Sequence, residues 1–235
     1  GVGPKKAKLF WESLNITSIE LLKQAAEQQK LRDLAGMGAK SEQKILEGIE
    51  ALARQTGRTR LGDAFPTAHA ILELLLKLPE AIEGAVAGSI RRGRPTIGDV
   101  DLLIASDNAE PIMNTFVTLE NVARVLGHGP TKSSIELHSG LQVDLRVLEK
   151  ARWGTLLNYF TGSQAHNIRM RQLALDKGLS LNEHALRPID ADGNISEDES
   201  THILCATEEQ VYQAVGLPYI SPELREDSGE IEAGL

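Results

Sequence analysis

Gly88-Ser89-Ile90-Arg91-Arg92-Gly93, four further residues, and then Gly98-Asp99-Val100-Asp101 form the stretch that decides the fold. Asp99-Val100-Asp101 runs into Leu102-Leu103-Ile104 and predicts a strand. Alternate residues of a strand share a face, so Asp99 and Asp101 point the same way. Two adjacent carboxylates repel unless a cation sits between them. Oxygen ligands favour hard cations such as Mg²⁺ over Zn²⁺. The Gly-Ser turn ahead offers backbone and hydroxyl donors to phosphates, and Arg92 can neutralise charge building on a leaving pyrophosphate. A lone Asp-x-Asp is commonly a solvated strand edge; joined to Gly-Ser-x-Arg-Arg-Gly it is a far rarer combination.

Downstream, Ser133–His138 and Leu141–Leu148 alternate apolar and polar residues around Ser139-Gly140 and predict a hairpin. Asp144 opposes Leu141, Val143, Leu145 and Val147 on its strand. If that strand neighbours the one carrying Asp99 and Asp101, three carboxylates converge. Such a trio suits two metal ions about 3.5–4 Å apart, which polarise an attacking hydroxyl for in-line displacement on a triphosphate. Residues 111–125 and 151–178 read as helical, and residues 186–235 as acidic and loop-rich. Tyr159-Phe160 ahead of Thr161-Gly162-Ser163 offers a flat apolar wall with a close-approach backbone, as a sugar needs. Asn167 and Arg171 stand at i and i+4, on one helix face.

Upstream, helices are expected over 4–15, from a Thr17 or Ser18 cap through Ala25, and over 41–53 with Ile45, Leu46, Ile49 and Leu52 on one face. Residues 54–66, with Gly57, Gly62 and Pro66, read as a linker, and 67–78 as a further helix. Two turns repeat: Gly1-Val2-Gly3-Pro4-Lys5-Lys6 and Gly36-Met37-Gly38-Ala39-Lys40 each place glycine, an apolar residue, glycine and a lysine at a helix start. Freed N–H groups there can bind phosphate oxygens.

Charge follows the same division. The net charge is −8, which on average opposes a polyanionic partner. Residues 1–60 nevertheless hold 11 basic and 7 acidic side chains, while residues 186–235 hold 2 and 12. The expectation is a basic DNA track with the acidic tail held away from it. Aromatics at 4% leave the core to aliphatic residues. The single Cys205 forbids an intrachain disulfide and reads as a small buried hydrophobe. No apolar run reaches the 18 or so residues of a membrane span, and no signal peptide opens the chain.

Taken together, these motifs resemble the nucleotidyltransferase superfamily and, within it, the family X DNA polymerases, the bacterial PolX-type members more than polymerase β. Gly88–Asp101, Gly129-Pro130-Thr131-Lys132, Asp144, Tyr159–Ser163 with Asn167, Arg171 and Asn182-Glu183, and Leu217–Glu226 carry the resemblance, which spans nearly the whole chain. It implies an α+β fold. Residues 1–57 would be a helix-hairpin-helix DNA-binding region, 58–150 a palm with a mixed β-sheet, and 151–235 a small α+β thumb with an acidic tail.

The resemblance also implies roles. Asp99, Asp101 and Asp144 would hold two divalent ions, Mg²⁺ or Mn²⁺, and Asp144 would help deprotonate the primer 3′-hydroxyl. Gly88, Ser89, Arg92 and Gly98 would hold the triphosphate. Tyr159, Phe160 and Gly162 would line the sugar pocket, Asn167 would reach the base edge, and Glu183 would stabilise a closed thumb. Gly1, Gly3, Lys5, Lys6, Gly36, Gly38, Lys40, Lys132, Arg146 and Arg171 would meet DNA. Gln164 stands where some relatives carry an acid, Gln142 where polymerase β-like members carry an arginine, and His184 where they carry tyrosine. The implied protein is a monomeric, bacterial, cytoplasmic, nucleoid-associated polymerase, filling gaps in base excision repair from deoxynucleoside triphosphates on gapped or primer-template DNA. The expected chain is a fragment without a lyase-type domain before it or a phosphoesterase domain after it. A template-independent nucleotidyltransferase and a non-catalytic DNA-binding fragment are the alternatives.

Overall fold

The computed structural model describes residues 2–54 and 58–235. Gly1, the Leu52 side chain and residues 55–57 of the expected linker lie outside the described residues. The chain forms two compact units, Gly1–Gly57 and Arg58–Leu235.

The first unit holds α1 (Pro4–Leu14), α2 (Ile19–Glu27) and α3 (Ala39–Arg54). Pro4 suits the first turn of α1 because its fixed φ is already helical and its missing N–H would have no partner there. The Ser18 hydroxyl accepts the Leu21 N–H and caps α2. Phe10, Ala25, Ala26, Leu31 and Ile45 form the core. Glu42 is buried in α3 and accepts the N–H groups of Leu31 and Arg32, each at 3.0 Å, and the Arg32 Nε at 2.8 Å. These bonds outweigh the cost of burial and hold the carboxyl below its usual range. They tie the loop after α2 to α3.

The second unit runs β1 (Thr59–Arg60), α4 (Leu61–Leu75), β2 (Glu83–Val86), α5 (Gly88–Arg91), β3 (Thr96–Ile97), β4 (Asp99–Ala105), α6 (Glu110–Val117), β5 (Val122–His128), β6 (Lys132–Leu137), β7 (Gln142–Leu148), α7 (Trp153–Thr161), α8 (Gln164–Asp176), β8 (Leu179–Leu181), β9 (Leu186–Pro188) and α9 (Glu208–Val215). Five strands make one mixed sheet in the order β2-β4-β7-β6-β5, with β4 and β7 parallel and the other pairs antiparallel. Val100, Leu102 and Ile104 with Val143, Leu145 and Val147 bury one face against α4 and α6. Leu103 and Ala105 on the other face pack with Trp153 and Leu156 of α7. Gly154 lets α7 approach the α9 start, since a Cβ there would overlap the Thr207 backbone. A further core gathers Met170, Ala174, Leu181, Leu186, Cys205, Val211, Tyr212 and Ile231. Cys205 is buried, and burial pushes its thiol up to about 11.

Several expectations need correction. The linker over 54–66 ends early: β1 pairs with β3, and α4 begins at Leu61 with Pro66 inside it. Burial of Ala64, Ala68, Ile71, Leu72 and Leu75 outweighs the backbone bond that Pro66 removes. The helix expected over 111–125 stops at Val117, because β5 pairs with β6 and extends the sheet. The Gly-Ser turn is the start of the short helix α5. The helix over 151–178 is two helices, parted at Gly162-Ser163, whose peptide bond is cis. Residues 186–235 contribute to the core of this unit: Tyr212, Arg225 and Ile231 are fully buried, because apolar residues recur among the acids. Among the described residues, no helix is long and apolar enough to cross a membrane.

Candidate active site

The parallel pairing of β4 and β7 sets Asp101 directly beside Asp144 and Asp99 beside Gln142. Neighbouring strands lie about 4.8 Å apart, so Asp101 and Asp144 are adjacent on the face that also carries Asp99. Burial pushes the Asp101 carboxyl up to about 7, and the charges of Asp99 and Asp144 push the same way, against Arg146 and Arg92. Asp144 Oδ1 accepts the Gln142 Nε2 at 2.9 Å. Gln142 therefore orients the third carboxylate. Gly88, at φ +59°, stands against Asp101, and a Cβ there would overlap the carboxylate oxygen. Only glycine combines that backbone with that approach.

The chemistry of this donor set fits a hard divalent cation: three carboxylates on adjacent strands, one of them held back from ionising by burial and by the other two. The side chains are not drawn into a closed cage. Among the described residues, no three His, Cys, Asp or Glu are gathered tightly enough to hold an ion as they stand. The expected convergence is met in the strand register of Asp101 and Asp144.

A cavity of about 570 Å³ opens over Asp99 and Asp101; Asp144, the strand neighbour of Asp101, is not part of its lining. Gly88, Ser89, Arg92 and Gly98 line it beside these carboxylates. Tyr159, Phe160, Gly162, Gln164, Asn167 and Arg171 line it from α7, α8 and the turn between them. Tyr159 and Phe160 meet edge to face with centroids 5.1 Å apart. Ser163 caps α8 by accepting the His166 N–H, and the Asn167 amide donates to the Tyr159 carbonyl at 2.7 Å. All eight residues expected at a nucleotide thus line one cavity, together with Arg171, which was expected at DNA.

Arg58 also lines it and was not expected, because it fell inside the supposed linker. Its guanidinium donates to the Thr96 hydroxyl at 2.8 Å and carbonyl at 2.5 Å, across the β1–β3 pair. The signal available in sequence was the basic triplet Arg58-Thr59-Arg60. A buried carboxylate network was missed as well. Glu208 accepts both terminal nitrogens of Arg91, at 2.9 and 2.7 Å, and Arg225 Nη1 at 2.5 Å. Burial opposes its ionisation, but the two arginines outweigh this and hold it below the carboxylate range.

Other expected DNA contacts are distributed differently. Arg146 is not a free surface cation: its guanidinium stacks 4.1 Å from the Phe160 centroid, and its Nε is buried. Lys132 is exposed at the start of β6. Glu183 sits in a turn where Asn182 Oδ1 accepts the His184 and Ala185 N–H groups. In the helical unit, Gly3 caps α1, and the Gly38 carbonyl accepts the Ser41 and Glu42 N–H groups as α3 begins. Lys5 and Lys40 are exposed beside these turns, and Lys6 is half-buried. Gly36 takes φ +74°. Gly1 lies outside the described residues.

Comparison with known proteins adds an independent line. Residues 156–226 match the family described as DNA polymerase beta thumb, and residues 1–51 the SAM-like helix-hairpin-helix tandem. The DNA polymerase/3′-5′ exonuclease PolX of Bacillus subtilis (strain 168) is 36% identical over 234 residues, covering 99% of this chain and 40% of that protein. DNA polymerase lambda of Rattus norvegicus is 27% identical over 271 residues, covering 96% and 47%. The chain thus spans less than half the length of these relatives. Among solved structures, Leishmania infantum polymerase beta in a ternary gap complex aligns with a TM-score of 0.78 at 21% identity, covering 96% of this chain and 86% of that one. The same enzyme in a ternary P/T complex aligns with a TM-score of 0.76 at 22% identity, covering 96% and 94%.

Proposed function

Because the chain belongs to the family X DNA polymerases, we propose that it adds deoxynucleotides to a primer 3′-hydroxyl as directed by a template, filling short gaps in DNA repair. The observation that carries this is that Asp101, paired in register with Asp144, lines one cavity together with Asp99, Tyr159, Phe160, Gly162 and Asn167.

In this mechanism Asp99, Asp101 and Asp144 would hold two divalent ions, Mg²⁺ or Mn²⁺. These would supply charge stabilisation while the primer 3′-oxygen bonds to the α-phosphorus and the bond from that phosphorus to the leaving pyrophosphate breaks. Asp144 accepts the proton of the primer hydroxyl, with Gln142 fixing the oxygen that stays hydrogen-bonded. Ser89 and the Gly88 and Gly98 backbones seat the triphosphate, while Arg92 and Arg58 meet its negative charge. Tyr159, Phe160 and Gly162 approach the sugar, Asn167 the base edge, and Arg171 the template strand. Residues 1–57 grip DNA backbone through Gly3, Lys5, Lys6, Gly36, Gly38 and Lys40. Residues 58–150 act as palm and 151–235 as thumb. The partners are gapped or primer-template DNA and deoxynucleoside triphosphates. The chain works as a monomer on nucleoid DNA in the bacterial cytoplasm.

The test is extension of a primer across a one-nucleotide gap with Mg²⁺ or Mn²⁺. Wild type should add one nucleotide and Asp144→Ala none. Equal extension by both would overturn the proposal.

A further inference from the structure

We propose that Glu226 is the positioning residue of the phosphate site: it holds the Arg92 guanidinium from behind so that its free edge faces the cavity. This rests on the assignment of Arg92 to the triphosphate.

Arg92 lines the cavity, and Glu226 does not. The Arg92 Nε donates to Glu226 Oε1 at 2.8 Å, and Nη1 donates to the Thr161 carbonyl at 2.6 Å. The guanidinium is thus pinned on two sides by groups outside the cavity. A free arginine of this length would have to be ordered by the ligand itself, at a cost in affinity. A carboxylate beside a phosphate-binding arginine could instead compete with the ligand. Support is the role that fits, because Glu226 does not line the cavity and also has Arg94 Nη1 3.7 Å from it.

Glu226 is itself fixed in register. The carbonyl of Arg225 accepts the Ser163 N–H at 3.0 Å, and the Arg225 side chain is buried against Glu208. Two residues beyond the Asp227-Ser228 turn, the Glu230 carboxylate accepts the N–H groups of Asp227 and Ser228 at 2.8 and 2.7 Å. It also meets His166 Nδ1 at 2.8 Å, while His166 Nε2 meets the Tyr212 hydroxyl at 2.8 Å. Burial holds His166 below the usual histidine range, so the ring is neutral, donating to Glu230 and accepting from Tyr212. His166 precedes Asn167 on α8. The segment that positions the phosphate arginine therefore hangs on the same helix start that presents the base-contacting residue.

The experiment is calorimetric titration of the full chain with inorganic tripolyphosphate in the absence of divalent ions. Arg92→Ala should lose most of the binding. Glu226→Ala should weaken it about fivefold, as expected for freeing one long side chain. Glu226→Gln keeps an acceptor for Nε and should stay within about twofold of wild type. In the Arg92→Ala background, Glu226→Ala should cost nothing more. If Arg92→Ala binds like wild type, the triphosphate assignment of Arg92 fails, and this proposal with it. If Arg92→Ala is weak while Glu226→Ala binds as tightly as wild type or tighter, the phosphate seat stands and the positioning role is overturned.

Discussion

Asp101→Asn should stabilise the metal-free protein increasingly as pH rises from about 4, and fully above pH 7. Asp101 is held at about 7 against an ordinary 3.8, first by burial and then by Asp99 and Asp144. Between those two values the folded protein keeps a proton that the unfolded chain has released. Stability therefore falls as pH rises through that window, and the full cost is present above pH 7. At 1.36 kcal/mol per pH unit the gap amounts to about 4 kcal/mol. For a chain of 235 residues each kcal/mol moves Tm by about 2–4 °C. In calorimetry with EDTA at pH 8, Asp101→Asn should melt about 8–16 °C above wild type. Near pH 4 the two should converge. A divalent ion should raise the wild-type Tm much more than that of the variant, since it relieves the same repulsion. A variant no more stable than wild type at pH 8, or equally stabilised at pH 4 and pH 8, would refute the electrostatic account of the carboxylate pair.

Gly88→Ala should fold, as circular dichroism would report, yet lose at least about 100-fold in single-turnover incorporation, because the new methyl displaces the Asp101 carboxylate. Glu208→Ala leaves Arg91 and Arg225 buried without their anion, and should cost about 3–5 kcal/mol in urea unfolding. Lys40→Ala should lower affinity for gapped duplexes of any sequence alike, and should flatten the plot of log K against log salt by about 1. A sequence-dependent loss would contradict a backbone-only role.

The shared face of Asp99 and Asp101, and the face of Asp144 opposite four apolar residues, were legible because alternation fixes them; that β4 and β7 pair was only a condition in the sequence. The GxG turns and the Asn167–Arg171 face were legible for the same reason: local period and local turn chemistry decide them. What stayed hidden depends on contacts between distant residues. Arg58 reaches the cavity only because β1 pairs with β3, more than thirty residues on. Val122–Val125 read as the end of a helix, since nothing nearby says that β6 offers β5 an edge. Arg146 was read as a surface cation because its stacking partner, Phe160, lies on another element. The acidic segment looked like a solvated tail because its charge is counted in sequence, whereas its burial rests on Tyr212, Arg225 and Ile231. Glu208 and Glu226 find their arginines more than a hundred residues upstream.

The central claim is that a template directs nucleotide addition at Asp99, Asp101 and Asp144. Its most direct measurement is single-turnover incorporation on four one-nucleotide-gapped duplexes that differ only in the templating base, each offered all four deoxynucleoside triphosphates separately. The account predicts that each template selects its complement, and that Asp144→Ala incorporates none. Equal incorporation of all four nucleotides whatever the templating base, or product formation by Asp144→Ala, would contradict it.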